Sequence, residues 1–92
     1  MHACNFFINN SIKIAYMQHV ELINLGKRIK SLRKRKKMTL SMLCYRNGLE
    51  PSTVSRIEAG IVEAKYLTLI KIAKAFNMEI CELLDFTDTK TF

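Results

Sequence analysis

The stretch Thr39-Leu40-Ser41-Met42-Leu43-Cys44-Tyr45-Arg46-Asn47-Gly48-Leu49-Glu50-Pro51-Ser52-Thr53-Val54-Ser55-Arg56-Ile57-Glu58-Ala59-Gly60 is punctuated at its start, middle and end. Thr39 is a good N-cap, because its hydroxyl accepts a first-turn N–H, and a short helix should follow it until Gly48 breaks the run. Pro51 has its φ preset and lacks an N–H that a first-turn residue would not use, so another helix should begin there and end before Gly60. Two short helices joined by a tight glycine turn cross steeply, which needs a small residue at the approach and apolar residues on both inner faces. Cys44 is small, and Met42, Leu43, Leu49, Val54 and Ile57 supply the apolar contacts. Ser52, Thr53, Ser55 and Arg56 are left pointing outward.

Working outward, Leu22, Leu25, Ile29 and Leu32 recur at three- and four-residue steps, which predicts a first helix from about Glu21 to Arg35 with its Lys and Arg mostly outward. After Gly60, a helix from about Tyr66 to Phe76 should present Leu69, Ile72, Ala73 and Phe76 to the core, leave Lys71 and Lys74 outside and close at Asn77. A short last helix near Ile80 to Leu84 adds Ile80, Leu83 and Leu84. No strand is required after residue 20, so the expected fold is all-α with five helices. Residues 1–16 read differently: Phe6-Phe7-Ile8, Asn9-Asn10 and Ser11-Ile12-Lys13-Ile14 fit a hairpin turning at Asn-Asn, an extension of the first helix, or disorder and adaptive packing, which ranks first. The expected division is an N-terminal extension over 1–16, a working domain over 17–86 and a polar tail over 87–92.

Ninety-two residues make one domain, which excludes an enzyme with separate cofactor and substrate lobes. At 49% hydrophobic and 25% charged, the chain has the apolar surface to fold. Fifteen basic against eight acidic residues give +7, so a polyanion is the first partner to consider. The charge is concentrated: residues 26–78 carry 13 basic and 3 acidic side chains, and eight of the basic ones are Lys27, Arg28, Lys30, Arg33, Lys34, Arg35, Lys36 and Lys37. A solvated helix face accounts for such a run as readily as a binding surface does.

Three cysteines without a CxxC pair imply a reducing cytoplasm, and no apolar run approaches the roughly 18 residues of a membrane span. The protein is expected to be soluble and cytoplasmic. The only histidines are His2 and His19, and no HExxH, P-loop or GxSxG spacing occurs, so no catalysis and no cofactor are expected. His2 with Cys4 makes a weak metal site at best, and no metal is expected. Cys44 and Cys81 read as small core residues, and Glu79, Glu82, Asp85 and Asp88 as a solvated acidic face.

The central stretch resembles the helix-turn-helix family of phage Cro and repressor-type regulators, often called the XRE family. The match spans about residues 25–85. It rests on Leu25-Gly26-Lys27-Arg28-Ile29-Lys30-Ser31-Leu32-Arg33, on Thr39 with Leu43 and Gly48, on Thr53-Val54-Ser55-Arg56-Ile57-Glu58-Ala59-Gly60, and on Leu69-Ile70-Lys71-Ile72-Ala73-Lys74-Ala75-Phe76 followed by Glu82-Leu83-Leu84. The resemblance implies a five-helix bundle whose third helix enters the major groove of double-stranded DNA, a groove about 12 Å wide that admits one helix. Ser52, Thr53, Ser55 and Arg56 are then the base-facing candidates, with Arg56 suited to guanine O6 and N7. Lys27, Arg46 and Lys65 are phosphate candidates by the same analogy, with ordinary surface as the alternative for each lysine. The resemblance also pairs Arg33 with Glu58 in an internal ion pair.

Some positions depart from the family pattern. Leu40 stands where Gln often contacts DNA and cannot hydrogen-bond. Asn47 replaces a small apolar residue, Glu50 a Ser or Thr cap, and Ala64 a Pro. Glu50 would repel phosphate unless it caps its helix or accepts from cytosine N4. The implied function is a sequence-specific transcriptional regulator, a repressor, working as a homodimer through Phe86, Phe92 or the N-terminal apolar residues. A competing reading is an antitoxin or other protein-interaction module that grips a protein partner through the N-terminal extension. Membrane binding by the first helix is weaker, because its apolar stripe is needed for the core.

Overall fold

The computed structural model describes residues 10–86, with side chains from Gln18 onward. Five helices follow in order: α1 (Asn10–Arg35), α2 (Leu40–Cys44), α3 (Pro51–Ala59), α4 (Tyr66–Ala75) and α5 (Ile80–Leu83). Among the described residues there is no strand. α1 packs on α3, α2 on α3 and α4, and α4 on α5. Ile29, Leu43, Val54, Ile57, Ile72, Phe76 and Leu83 are fully buried where these helices meet, with Leu32, Cys44 and Ala73 beside them.

α1 begins at Asn10, well before the expected start near Glu21. No Gly or Pro interrupts residues 10–25. Once a helix is nucleated, each further residue adds a hydrogen bond at little cost, so the run continues past its apolar stripe. This rules out a hairpin turn at Asn9-Asn10 and makes residues 10–16 helical rather than disordered; residues 1–9 lie outside the described residues.

Each of the next elements starts and stops for a local reason. Thr39 caps α2, its Oγ1 accepting from Met42 N at 3.1 Å, while Met42 Sδ accepts in return from Thr39 N at 3.5 Å. That exchange keeps Met42 at the surface, 55% exposed, where the sequence placed it inward. α2 gives way at Tyr45 to extended backbone, and the Asn47 amide donates to Leu43 O at 2.7 Å and Tyr45 O at 3.2 Å. Asn47, a departure from the family pattern, thus satisfies a carbonyl that the end of a helix leaves open. Pro51 opens α3 as its first residue, and Gly60 closes it at φ 76°, a left-handed conformation that favours glycine. A Cβ on Gly60 would also lie 2.9 Å from Ile23 Cα of α1.

α4 ends at Ala75, with Asn77 at φ 61° turning the chain into α5. Glu79 N donates to Glu82 Oε1 at 3.0 Å across the first turn of α5. At this end of the chain two further expected core residues are exposed. Leu84, one residue past α5, is 42% exposed, and Cys81 faces solvent, because a helix of one turn can direct only Leu83 fully inward. Cys44 does sit in the core, where burial and the nearby Glu58 charge raise its thiol above the ordinary range.

Candidate nucleic-acid interface

α3 is seated from below and open above. Val54 and Ile57 point into the core, three residues apart, while Ser52, Thr53, Ser55 and Arg56 all face solvent. The helix therefore cannot rotate without exposing its apolar pair, and its four outward side chains hold a fixed register. Glu50, just ahead of Pro51, makes no side-chain capping bond to α3. Its carboxylate instead accepts from Ser52 Oγ at 3.4 Å, so the Glu50 charge stays at the surface beside the start of the helix.

At its far end α3 is locked to α1. Arg33 Nε donates to Glu58 Oε2 at 2.8 Å and Arg33 Nη2 to Glu58 Oε1 at 3.0 Å, the pair that the resemblance implied. Arg33 Nη1 also donates to Met38 O at 2.9 Å, holding the turn between α1 and α2. The hydrogen bond to Glu58 makes the Arg33 guanidinium more basic than usual, against the opposing effect of burial. Gly26 lies against the same end of α3, where a Cβ would stand 2.5 Å from Ile57 O and in still tighter conflict with Glu58 O.

The phosphate candidates are all exposed but lie on different elements: Lys27 on α1, Arg46 in the turn between α2 and α3, and Lys65 at the N-cap of α4. Arg46 adopts φ 72°, and its guanidinium lies over the Tyr45 ring, 5.5 Å from the centroid. Lys71 Nζ donates to Gly48 O at 3.5 Å, tying α4 to the same turn. Leu40 is half-buried and packs against the core, so this position supports the bundle rather than offering a polar group.

One cation of the basic run is an exception to the mostly outward Lys and Arg of α1: Arg28 is 3% exposed. Its Nε donates to Leu83 O at 2.9 Å and its Nη2 to Glu82 O at 2.6 Å, so it caps the carbonyl end of α5. Arg28 and Arg33 serve the interior, which leaves Lys27, Lys30, Lys34, Arg35, Lys36 and Lys37 as the exposed part of the run. Helical spacing puts Arg28 on the flank of the apolar stripe, three residues after Leu25 and four before Leu32, but it does not reveal that α5 supplies the carbonyls there. No helix among the described residues is long and apolar enough to cross a membrane. His2, Cys4 and Phe92 lie outside the described residues, and Phe86 is half-buried.

Comparison with known proteins places this geometry. The helix-turn-helix family model matches residues 29–83. The chain is similar to the restriction-modification controller protein C.AhdI from Aeromonas hydrophila, at 29% identity and a TM-score of 0.68, over 71% of this chain and 98% of that one. No curated protein matches. A family match across more than half of the chain, on the elements that seat α3, leads to one conclusion: the chain belongs to the helix-turn-helix family of XRE type, whose members are DNA-binding transcription regulators and not enzymes.

Proposed function

We propose that the protein is a sequence-specific transcriptional repressor that inserts α3 into the major groove and acts by occluding a promoter. The observation that carries this reading is the split character of α3, with Val54 and Ile57 buried and Ser52, Thr53, Ser55 and Arg56 exposed together. Arg56 presents two parallel donors to guanine, and the hydroxyls of Ser52, Thr53 and Ser55 reach either bases or phosphates. Lys27, Arg46 and Lys65 hold the backbone on either side. Similarity to a restriction-modification controller protein supports the regulatory role. One such module offers a small interface, so the chain works as a homodimer on two half-sites about 34 Å apart.

Two variants test the division of labour. Arg56→Ala should cost about 1–3 kcal/mol of binding free energy and relax the preference at a single base pair. Lys65→Ala should weaken binding to all sequences alike and lower the slope of log affinity against log salt by about 0.9. Selection of bound fragments from random duplexes, followed by titration of matched and mismatched sites across a salt series, measures both. Equal loss on every sequence for Arg56→Ala would make Arg56 a backbone anchor. Selected sites without palindromy would count against the two-fold arrangement.

A further inference from the structure

Tyr45 and Arg46 form a cation–π contact, and neither side chain belongs to the core. Tyr45 is 71% exposed, so its ring contributes little to folding. Arg46 sits at φ 72°, where glycine would be the more comfortable residue, and yet the position carries a long cation. The guanidinium lies 5.5 Å from the ring centroid, inside the roughly 6 Å range of attraction to an aromatic face. The backbone that carries the two is itself fixed, since the Asn47 amide donates to the carbonyls of Leu43 and Tyr45. Both side chains border a groove of about 640 Å³ that Ser41 and Met42 of α2 and Pro51 of α3 also line. The stack therefore stands at the entrance to α3.

An exposed arginine samples many rotamers and loses that freedom when it binds a phosphate, which weakens the contact. A ring that holds the guanidinium beforehand removes part of that loss. We propose that Tyr45 is a positioning residue that presets Arg46 as a backbone contact next to α3. This rests on the reading of Arg46 as a phosphate contact, and the two fail separately.

The test is equilibrium binding of the full chain to a random-sequence duplex of about 30 base pairs, by fluorescence anisotropy across a salt series, with a melting curve for each variant. Arg46→Gly should weaken binding about tenfold and lower the salt slope by about 0.9, with a melting temperature no lower than wild type. Tyr45→Leu should weaken binding about two- to fivefold at an unchanged melting temperature, and Tyr45→Phe, which keeps the ring face, should restore it. Wild-type affinity for Tyr45→Leu beside a weakened Arg46→Gly would overturn the positioning role and leave Arg46 as a contact. Wild-type affinity for Arg46→Gly would overturn the contact itself and the proposal with it. Tyr45→Phe as weak as Tyr45→Leu would assign the effect to the hydroxyl and overturn the stack.

Discussion

Arg33→Ala is expected to lower folding stability by about 2–3 kcal/mol, below the roughly 3–5 kcal/mol for removing one partner of a fully buried ion pair. An exposed pair would contribute only about 0–1 kcal/mol, so burial decides which figure applies. The side chains of Arg33 and Glu58 are 11% and 6% exposed and both residues are part-buried, which places the loss between the two ranges. The substitution leaves the Glu58 carboxylate without its two guanidinium donors and releases Met38 O as well, loosening the turn that leads to α2. Urea unfolding reads the loss. A double variant, Arg33→Met with Glu58→Leu, should be more stable than Arg33→Ala alone, because no charge is then stranded out of water. DNA affinity measured where Arg33→Ala is still folded should fall less than stability does. A loss under about 1 kcal/mol would mean that the pair behaves as a solvated one.

The elements most legible in the sequence were those fixed by punctuation. Thr39, Pro51 and Gly60 each act through their own backbone or a neighbour three residues away, and the start of α2 and both ends of α3 fall where these residues put them, whereas α2 already stops at Cys44, ahead of Gly48. The core residues Leu43, Val54, Ile57, Ile72 and Phe76 followed from helical spacing, which is also local. The Arg33 and Glu58 contact spans 25 residues and was available only through resemblance to a family, since spacing places Arg33 four residues after Ile29 but does not name Glu58 as its partner.

What was illegible depends on where distant elements dock. Arg28 bonds to residues 54 and 55 positions away, and although its spacing from Leu25 and Leu32 sets it apart from the exposed Lys27 and Lys30, that spacing does not name α5 as its partner. Met42 fits the inward spacing of α2, but its sulfur is used at the N-cap and stays outside. The early start of α1 was hidden because residues 10–20 carry no breaker, and Asn10 and Ser11, which can cap a helix, suit a turn equally well. On α3 the outward set was legible as a set. Which of its members reads a base is a property of the duplex as much as of the chain, and spacing alone does not order them.

Gly26→Ala sets two local rules against each other and so gives a prediction with a definite sign. Helix propensity favours alanine over glycine inside α1 by about 1 kcal/mol, and on that ground the variant should be more stable. The close approach of α3 opposes it. The new Cβ would stand 2.5 Å from Ile57 O and closer to Glu58 O, and both are backbone atoms at the end of a helix, which cannot swing aside as the tip of a side chain can. Relief requires α1 and α3 to move apart, and overpacking of this kind costs typically 1–3 kcal/mol, here expected at about 3 because neither contact is flexible. Separation also stretches the bonds from Arg33 to Glu58, which stands at the same contact, so the two substitutions should be non-additive when combined. Thermal unfolding of the single and double variants measures both effects. A melting temperature for Gly26→Ala at or above wild type would mean that α1 and α3 are not held at this distance, and the fixed seating of α3 on α1 would have to be given up.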